Sequence, residues 1–171
     1  MNFEQWDEDL QKRLKKAQEA QAKLPLLLAA DALRFIDDNF RNQAWEGTPW
    51  KAITRTDGTI LVDTAKLKNS FNYDAKAGEA RIYTNVPYAA VHNDGFEGAV
   101  SVPAHKRSQY KKLAKGKKKK TSTGMVKAHS KKMKIDQRQF APTEKSNSPT
   151  LEKTLNTTIT TYFKDVLNPK S

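Results

Sequence analysis

The 171-residue chain contains no cysteine. Disulfides and thiolate metal sites are excluded, and the absence fits a reducing cytoplasm. Histidine is scarce, with only His92, His105 and His129. A zinc site needs a convergent ligand set, completed by Cys, Asp or Glu. His105 and His129 lie in a stretch from Gly98 to Ile135 that has no Asp or Glu at all. A cross-strand His105–His129 pair could hold a metal only adventitiously, so neither a functional metal nor a cofactor is expected. Long apolar runs are missing too. Leu24–Ala30 is interrupted by Pro25 and is far shorter than the roughly 20 residues a membrane helix needs. The amino terminus, Met1-Asn2-Phe3-Glu4, is acidic where a secretory signal is basic. A soluble protein with no membrane contact is expected. The glycine-lysine run at Gly116–Lys120 lacks the G-x-x-x-x-G-K-[ST] spacing of a nucleotide P-loop.

What is present is positive charge. Hydrophobic residues make up 37% and charged residues 29%, a mix that suggests one domain with a small core plus solvated parts. The net charge is +12, and Lys and Arg crowd the same Gly98–Ile135 stretch that lacks acids. The charge therefore belongs to an appendage rather than to the fold, and a polyanion or an acidic protein surface is a plausible partner.

The periodicities give an element order. Phe3, Trp6, Leu10, Leu14 and Ala17 make a narrow apolar stripe on a helix from Phe3 to about Lys23, suited to one neighbour or a partner subunit. Pro25 should end or kink it. A second helix is expected from Leu26 to about Asn42, more deeply buried, with Leu26, Ala30, Leu33 and Phe40 on one face. Trp45 and Trp50 in the following Gly/Pro-containing connection should plug the core edge. Thr59–Val62 reads as a short strand. Asp63-Thr64 reads as an N-cap before a helical turn at Ala65–Lys68. Phe71–Lys76 and Ala80–Asn85 alternate about a tight turn and form an antiparallel pair. Tyr88–His92 is a short helix or turn stopped by Gly95. Val102-Pro103-Ala104-His105 is echoed by Val126-Lys127-Ala128-His129, the signature of an extended hairpin with its tip near Gly116–Gly124. Ile135–Phe140 should rejoin the sheet. Ser148 caps a final helix that Asn168-Pro169 ends.

The fold class is α+β, an antiparallel sheet packed by N-terminal and C-terminal helices with a long basic β-hairpin arm. A single domain is expected over 1–171, with helices in 1–43, a sheet core in 44–104, a basic hairpin insertion in 105–134, and a last strand and helix in 135–171.

No catalytic constellation emerges. His92 has Asp94 nearby but no nucleophile, so a bond that fixes the turn is the simpler role. Asp63 is explained by capping. Two segments nevertheless carry a pattern. The first is Ile60-Leu61, Asp63-Thr64, Leu67, Ser70-Phe71, then Thr84-Asn85, Tyr88-Ala89, His92 and Gly95. The second is Gln137-Arg138-Gln139-Phe140-Ala141-Pro142. Together they resemble the phage virion morphogenesis family, the tail-completion or neck proteins of Mu-like and related tailed phages. The family usually has glycine where this chain has Ala65, which implies a right-handed backbone there. It also usually has proline where Gln139 stands.

The resemblance implies a structural virion protein, not an enzyme. It would be assembled in the host cytoplasm and sit in the neck as a homo-oligomeric ring around the DNA channel. It would complete the tail, beside tail tube, tail terminator or head-tail connector proteins. It gives Asp63, Thr64, Leu67, Asn85, Tyr88, His92, Gly95, Arg138 and Phe140 an assembly or turn role. Lys106, Arg107, Lys117, Lys118, Lys119 and Lys120 have three readings: salt-sensitive contact with DNA phosphates, docking into an acidic groove on a neighbour, or a solvated loop. A free, sequence-independent nucleic-acid-binding protein is the alternative function. An enzyme acting on an anionic substrate ranks last.

Overall fold

A computed structural model describes residues 3–52, 59–62, 64–76, 78–112 and 118–167, with the side chains of 112, 118, 119 and 167 excepted. The chain forms two compact units. One comprises Met1–Asp94 with Gln137–Ser171, the other Gly95–Asp136. The fold is α+β as expected, but its strands form separate two-stranded antiparallel sheets rather than one sheet.

The first unit is organised by α1, Phe3–Asn42, a single helix of 40 residues. At about 1.5 Å per residue it is about 60 Å long. Two helices broken at Pro25 were expected, so this is a correction. An interior proline costs about 3 kcal/mol, because it removes one N–H and crowds the preceding turn. Here Pro25 is buried, and Ala20 and Ala29 are buried on either side of it. Packing on both sides of the proline holds the helix together across it. The buried face runs through Pro25, Ala29, Ile36 and Phe40, whereas Leu26 and Ala30 point outward.

Gln43, at φ 52°, turns the chain out of α1. Its side chain then pairs with Ile60 in both directions, Nε2 donating to the carbonyl (3.0 Å) and Oε1 accepting the N–H (3.3 Å). Strands β1 (Ala44–Trp45) and β2 (Thr48–Pro49) form a tiny hairpin. Its turn residues Glu46 and Gly47 both have positive φ, the requirement of a two-residue turn that matches strand twist.

Ile60 and Leu61 are in a turn, not the expected strand. The expected helical turn at Ala65–Lys68 is displaced to a 3₁₀ turn, Lys68–Ser70, led by Leu67 without any side-chain cap. Thr64 is an exposed bend residue, and Asp63 lies outside the described residues. Ala65 has φ 52°, so it is left-handed, contrary to the right-handed backbone its identity suggested. Two turns meet at this residue. Its N–H reaches the Val62 carbonyl (3.3 Å), and its own carbonyl accepts the Asn69 N–H (2.9 Å).

Strands β3 (Phe71–Lys76) and β4 (Glu79–Thr84) pair from Phe71↔Thr84 to Lys76↔Glu79, as their alternation indicated. Gly78, φ +84°, serves their turn; Ala77 of the expected turn is not among the described residues. Helix α2 spans Ala89–Asp94 and is stopped by left-handed Gly95. Helix α3, Pro149–Leu167, begins where expected: the Ser148 hydroxyl accepts the Leu151 N–H at 3.0 Å. Asn168 and Pro169, its expected stop, are outside the described residues. Glu46 accepts hydrogen bonds from the Ser148 and Thr150 hydroxyls, which ties the β1–β2 turn to the start of α3. Burial raises the Glu46 pKa, but these bonds outweigh it and hold the carboxyl below its usual value. α1 packs against α3, β3 and β4.

The core comprises Ile36, Phe40, Trp50, Ile60, Leu67, Val86, Ala89 and Phe140. Phe40 stacks on Phe140 (centroids 5.0 Å apart) and meets Trp50 edge-on at 5.6 Å.

In the second unit β5 (Phe96–Val102) pairs with β8 (His129–Ile135), and β6 (His105–Lys112) pairs with β7 (Lys118–Val126). Both strands break at the same level, at Pro103-Ala104 and Lys127-Ala128. Each histidine ring nitrogen Nδ1 bonds the carbonyl two residues back, Pro103 at 3.1 Å and Lys127 at 3.0 Å. The two histidines are not opposite one another: His105 faces Val126 and His129 faces Val102. Thirteen of the 31 Lys and Arg but two of the 19 Asp and Glu lie between Gly95 and Asp136, so this unit carries +11 of the chain's +12. No helix among the described residues is long and apolar enough to cross a membrane.

Ala65→Gly tests the left-handed backbone. An L-residue there costs about 1–2 kcal/mol, while glycine loses more freedom on folding, by about 0.4–1 kcal/mol. The substitution should stabilise by about 0.5–1 kcal/mol, read as a thermal midpoint raised by about 2–4 °C. A lowered midpoint would contradict the assigned φ.

Candidate functional site

The chain leaves the first unit at Asp94 and re-enters it at Gln137. Immediately inside both points, α2 and the segment Arg138–Ala141 are hydrogen-bonded together. The Arg138 N–H donates to the His92 carbonyl at 2.8 Å. Asn93 Oδ1 accepts the N–H groups of Phe140 (2.9 Å) and Ala141 (3.0 Å), and its Nδ2 donates to the Ala141 carbonyl (3.2 Å). The Trp50 indole donates to the Gln139 carbonyl at 2.8 Å, and Asn39 Nδ2 to the Phe140 carbonyl at 3.1 Å. This segment was expected to be a sheet strand. It joins no ladder: its backbone groups are met by the His92 carbonyl and by side chains instead, because buried amide groups must find other partners.

The patterned residues converge here in part. Phe140 and Leu67 are each 2% exposed and join the core. Ser70 and Thr84 bolt its two halves together. Their hydroxyls lie 2.6 Å apart, Ser70 Oγ donates to the Leu67 carbonyl (2.7 Å), and Thr84 Oγ1 accepts the Val86 N–H (3.2 Å). Tyr88 lies edge-on to the His92 ring at 5.8 Å and is itself largely exposed, as is Asn85. Gly95 closes α2. Thr64 stands apart on the surface.

His92 fixes the turn through its backbone carbonyl. Its ring Nδ1 and the Arg138 Nε are buried with no hydrogen-bond partner among the described residues. Burial first, and the Arg138 charge second, pull the His92 pKa below its ordinary value. The ring is therefore kept neutral.

Asn93 is the residue that pattern reading missed. The sequence pattern gives the element as Tyr88–His92 stopped by Gly95 and assigns Asn93 no role. A signal did exist: Asn93 lies four residues after Ala89, on the same face of α2, and both are buried. A carboxamide at a core-facing position must serve backbone groups from elsewhere.

The cationic residues sit on the β6–β7 ladder. Lys106, Arg107 and Lys120 are exposed. Lys106 faces Met125, Arg107 faces Gly124, and Lys120 faces Tyr110. The backbones of Lys118 and Lys119 pair with Lys112 and Lys111, so lysine faces lysine at the end of the ladder. Lys117 lies outside the described residues. Among the described residues no group of three His, Cys, Asp or Glu could hold a metal ion.

The model of the phage virion morphogenesis family matches residues 2–159. A curated protein, Mu-like prophage FluMu G protein 2 of Haemophilus influenzae, is 39% identical over 59 residues, covering 32% of this chain and 43% of that relative. The chain thus spans less than half the length of the curated relative it matches. No solved structure matches.

Two outcomes test this site. Asn93→Ala strands the buried N–H groups of Phe140 and Ala141 and should cost about 2–4 kcal/mol in urea unfolding. Stability should also fall with acidification below about pH 6.5. There the unfolded chain protonates His92 and the native chain resists, so the contribution, complete above that pH, is lost as pH drops through the lowered native value. His92→Gln should flatten that limb in a pH series of thermal melts.

Proposed function

The chain belongs to the phage virion morphogenesis family, and we propose that it acts in the neck of a tailed phage. In this reading it completes or terminates the tail and joins it to the head as one subunit of a ring around the DNA channel. The observation that carries the reading is the division of labour in the molecule. A nearly neutral first unit is held by its own core, while +11 of charge is gathered in a second unit whose strands have little of their own to bury. Lysine opposite lysine destabilises a two-stranded ladder, so the pairs Lys111–Lys119 and Lys112–Lys118 favour an anionic neighbour. Within a neck that neighbour is an acidic protein surface or the DNA in the channel.

A ring also requires two different faces per subunit, one meeting the other around the circle. The exposed stripe of α1 and the second unit are two such faces. Catalysis has no part in this reading.

Replacing Lys106–Lys134 by a short Gly-Ser turn is the test. The helical circular dichroism should persist, and phage complemented with the variant should fail to join heads to tails. Infectious particles at the normal yield would refute the reading. Duplex-DNA binding by the isolated monomer, with affinity dropping steeply in salt, would favour a free nucleic-acid-binding protein instead.

A further inference from the structure

Two surfaces of this molecule are bare and complementary. The first is the amino-terminal half of α1. Every residue from Phe3 to Glu19 is exposed, and on this length Phe3 is 83%, Trp6 53% and Leu14 50% exposed. These residues recur at the spacing of one helix face. The start of this helix is acidic, with Glu4 and Asp7 toward one edge of the stripe and Asp9 paired with Arg13 toward the other. Glu4, Asp7, Glu8 and Asp9 precede any Lys or Arg, and Asp7 lies four residues after Phe3 and three before Leu10, beside the stripe.

The second surface is one face of the β6–β7 ladder. Alternation along β6 places Lys106, Ser108 and Tyr110 on one side. The register adds Met125 opposite Lys106, Thr123 opposite Ser108 and Lys120 opposite Tyr110. Tyr110 is 59% and Met125 66% exposed. The face thus carries two exposed apolar side chains, each opposite a lysine, where the helix offers an apolar stripe with carboxylates toward one edge.

We propose that the acidic amino-terminal end of α1 in one copy docks on the Tyr110–Met125 face of the ladder in a second copy. Trp6 and Leu10 would cover Met125 and Tyr110, and Glu4 and Asp7 would meet Lys106 and Lys120. Like surfaces repel in this arrangement, acid against acid and lysine against lysine. Unlike surfaces attract, and that selects helix against ladder over helix against helix or ladder against ladder. The inference rests on the ring reading and specifies which faces meet.

The absence of cysteine permits a clean test. Chains carrying Trp6→Cys and chains carrying Met125→Cys are mixed and oxidised, with each variant oxidised alone as the control and sedimentation recording assembly. A disulfide-linked dimer in the mixture, at least tenfold above either control, is expected. Raising salt should reduce it. Charge reversal at Asp7→Lys should weaken it, and adding Lys106→Glu and Lys120→Glu on the partner should restore it. Both cysteines replace exposed side chains, so folding is not at stake. Assembly that persists without the mixed link, or a Trp6→Cys homodimer alone, overturns this contact and leaves the ring standing. A chain that remains monomeric beside tail and head components overturns the ring and this contact together.

Discussion

The interaction on which the first unit depends is the seating of Phe140 and its flanking backbone. The ring stacks on Phe40, which meets Trp50 edge-on, and lies edge-on to Phe71. Burying a phenylalanine contributes about 1.5–3 kcal/mol, and each well-placed aromatic pair adds about 0.5–1.5 kcal/mol. Seating the ring forces its backbone into the interior, where bare amides are costly. Asn93, Asn39 and Trp50 meet that cost with side chains from three separate elements. Apolar packing and polar satisfaction are therefore one constraint here. Removing either leaves the other without purpose.

Local chemistry made much of this legible. The β3–β4 hairpin follows from alternation about Gly78, and α3 from Ser148-Pro149, because both signals act within a few residues. The repeated Val-x-Ala-His stretches pointed to paired strands, but the tip expected near Gly116–Gly124 is displaced, since Lys118–Val126 is strand β7. Pro25 misled because its buried surroundings outweigh the lost hydrogen bond. Ala65 misled because two adjoining turns impose a backbone its side chain disfavours. Ile60 was read as a strand residue, yet its partner is the Gln43 side chain rather than a neighbouring strand. Asn93 was passed over because its partners lie 47 and 48 residues away. In each case the deciding contact is distant in sequence, which no window of local pattern contains.

The charge distribution complements this picture. A core of modest size gains nothing from eleven surplus cations, whose mutual repulsion disfavours compaction. Confining them to Gly95–Asp136 leaves the first unit close to neutrality. The bonds from α2 to Arg138–Ala141 lie in that near-neutral unit.

A two-stranded ladder has a freedom of length that the core lacks. Each extra residue on both strands adds about 3.4 Å of reach, and none of the contacts around Phe140 is disturbed. Growth must come as matched additions to the two strands, since a lone extra residue is absorbed as a bulge like the one at Thr121. A lineage could thus adjust the span of this element in discrete increments while the first unit stays constant.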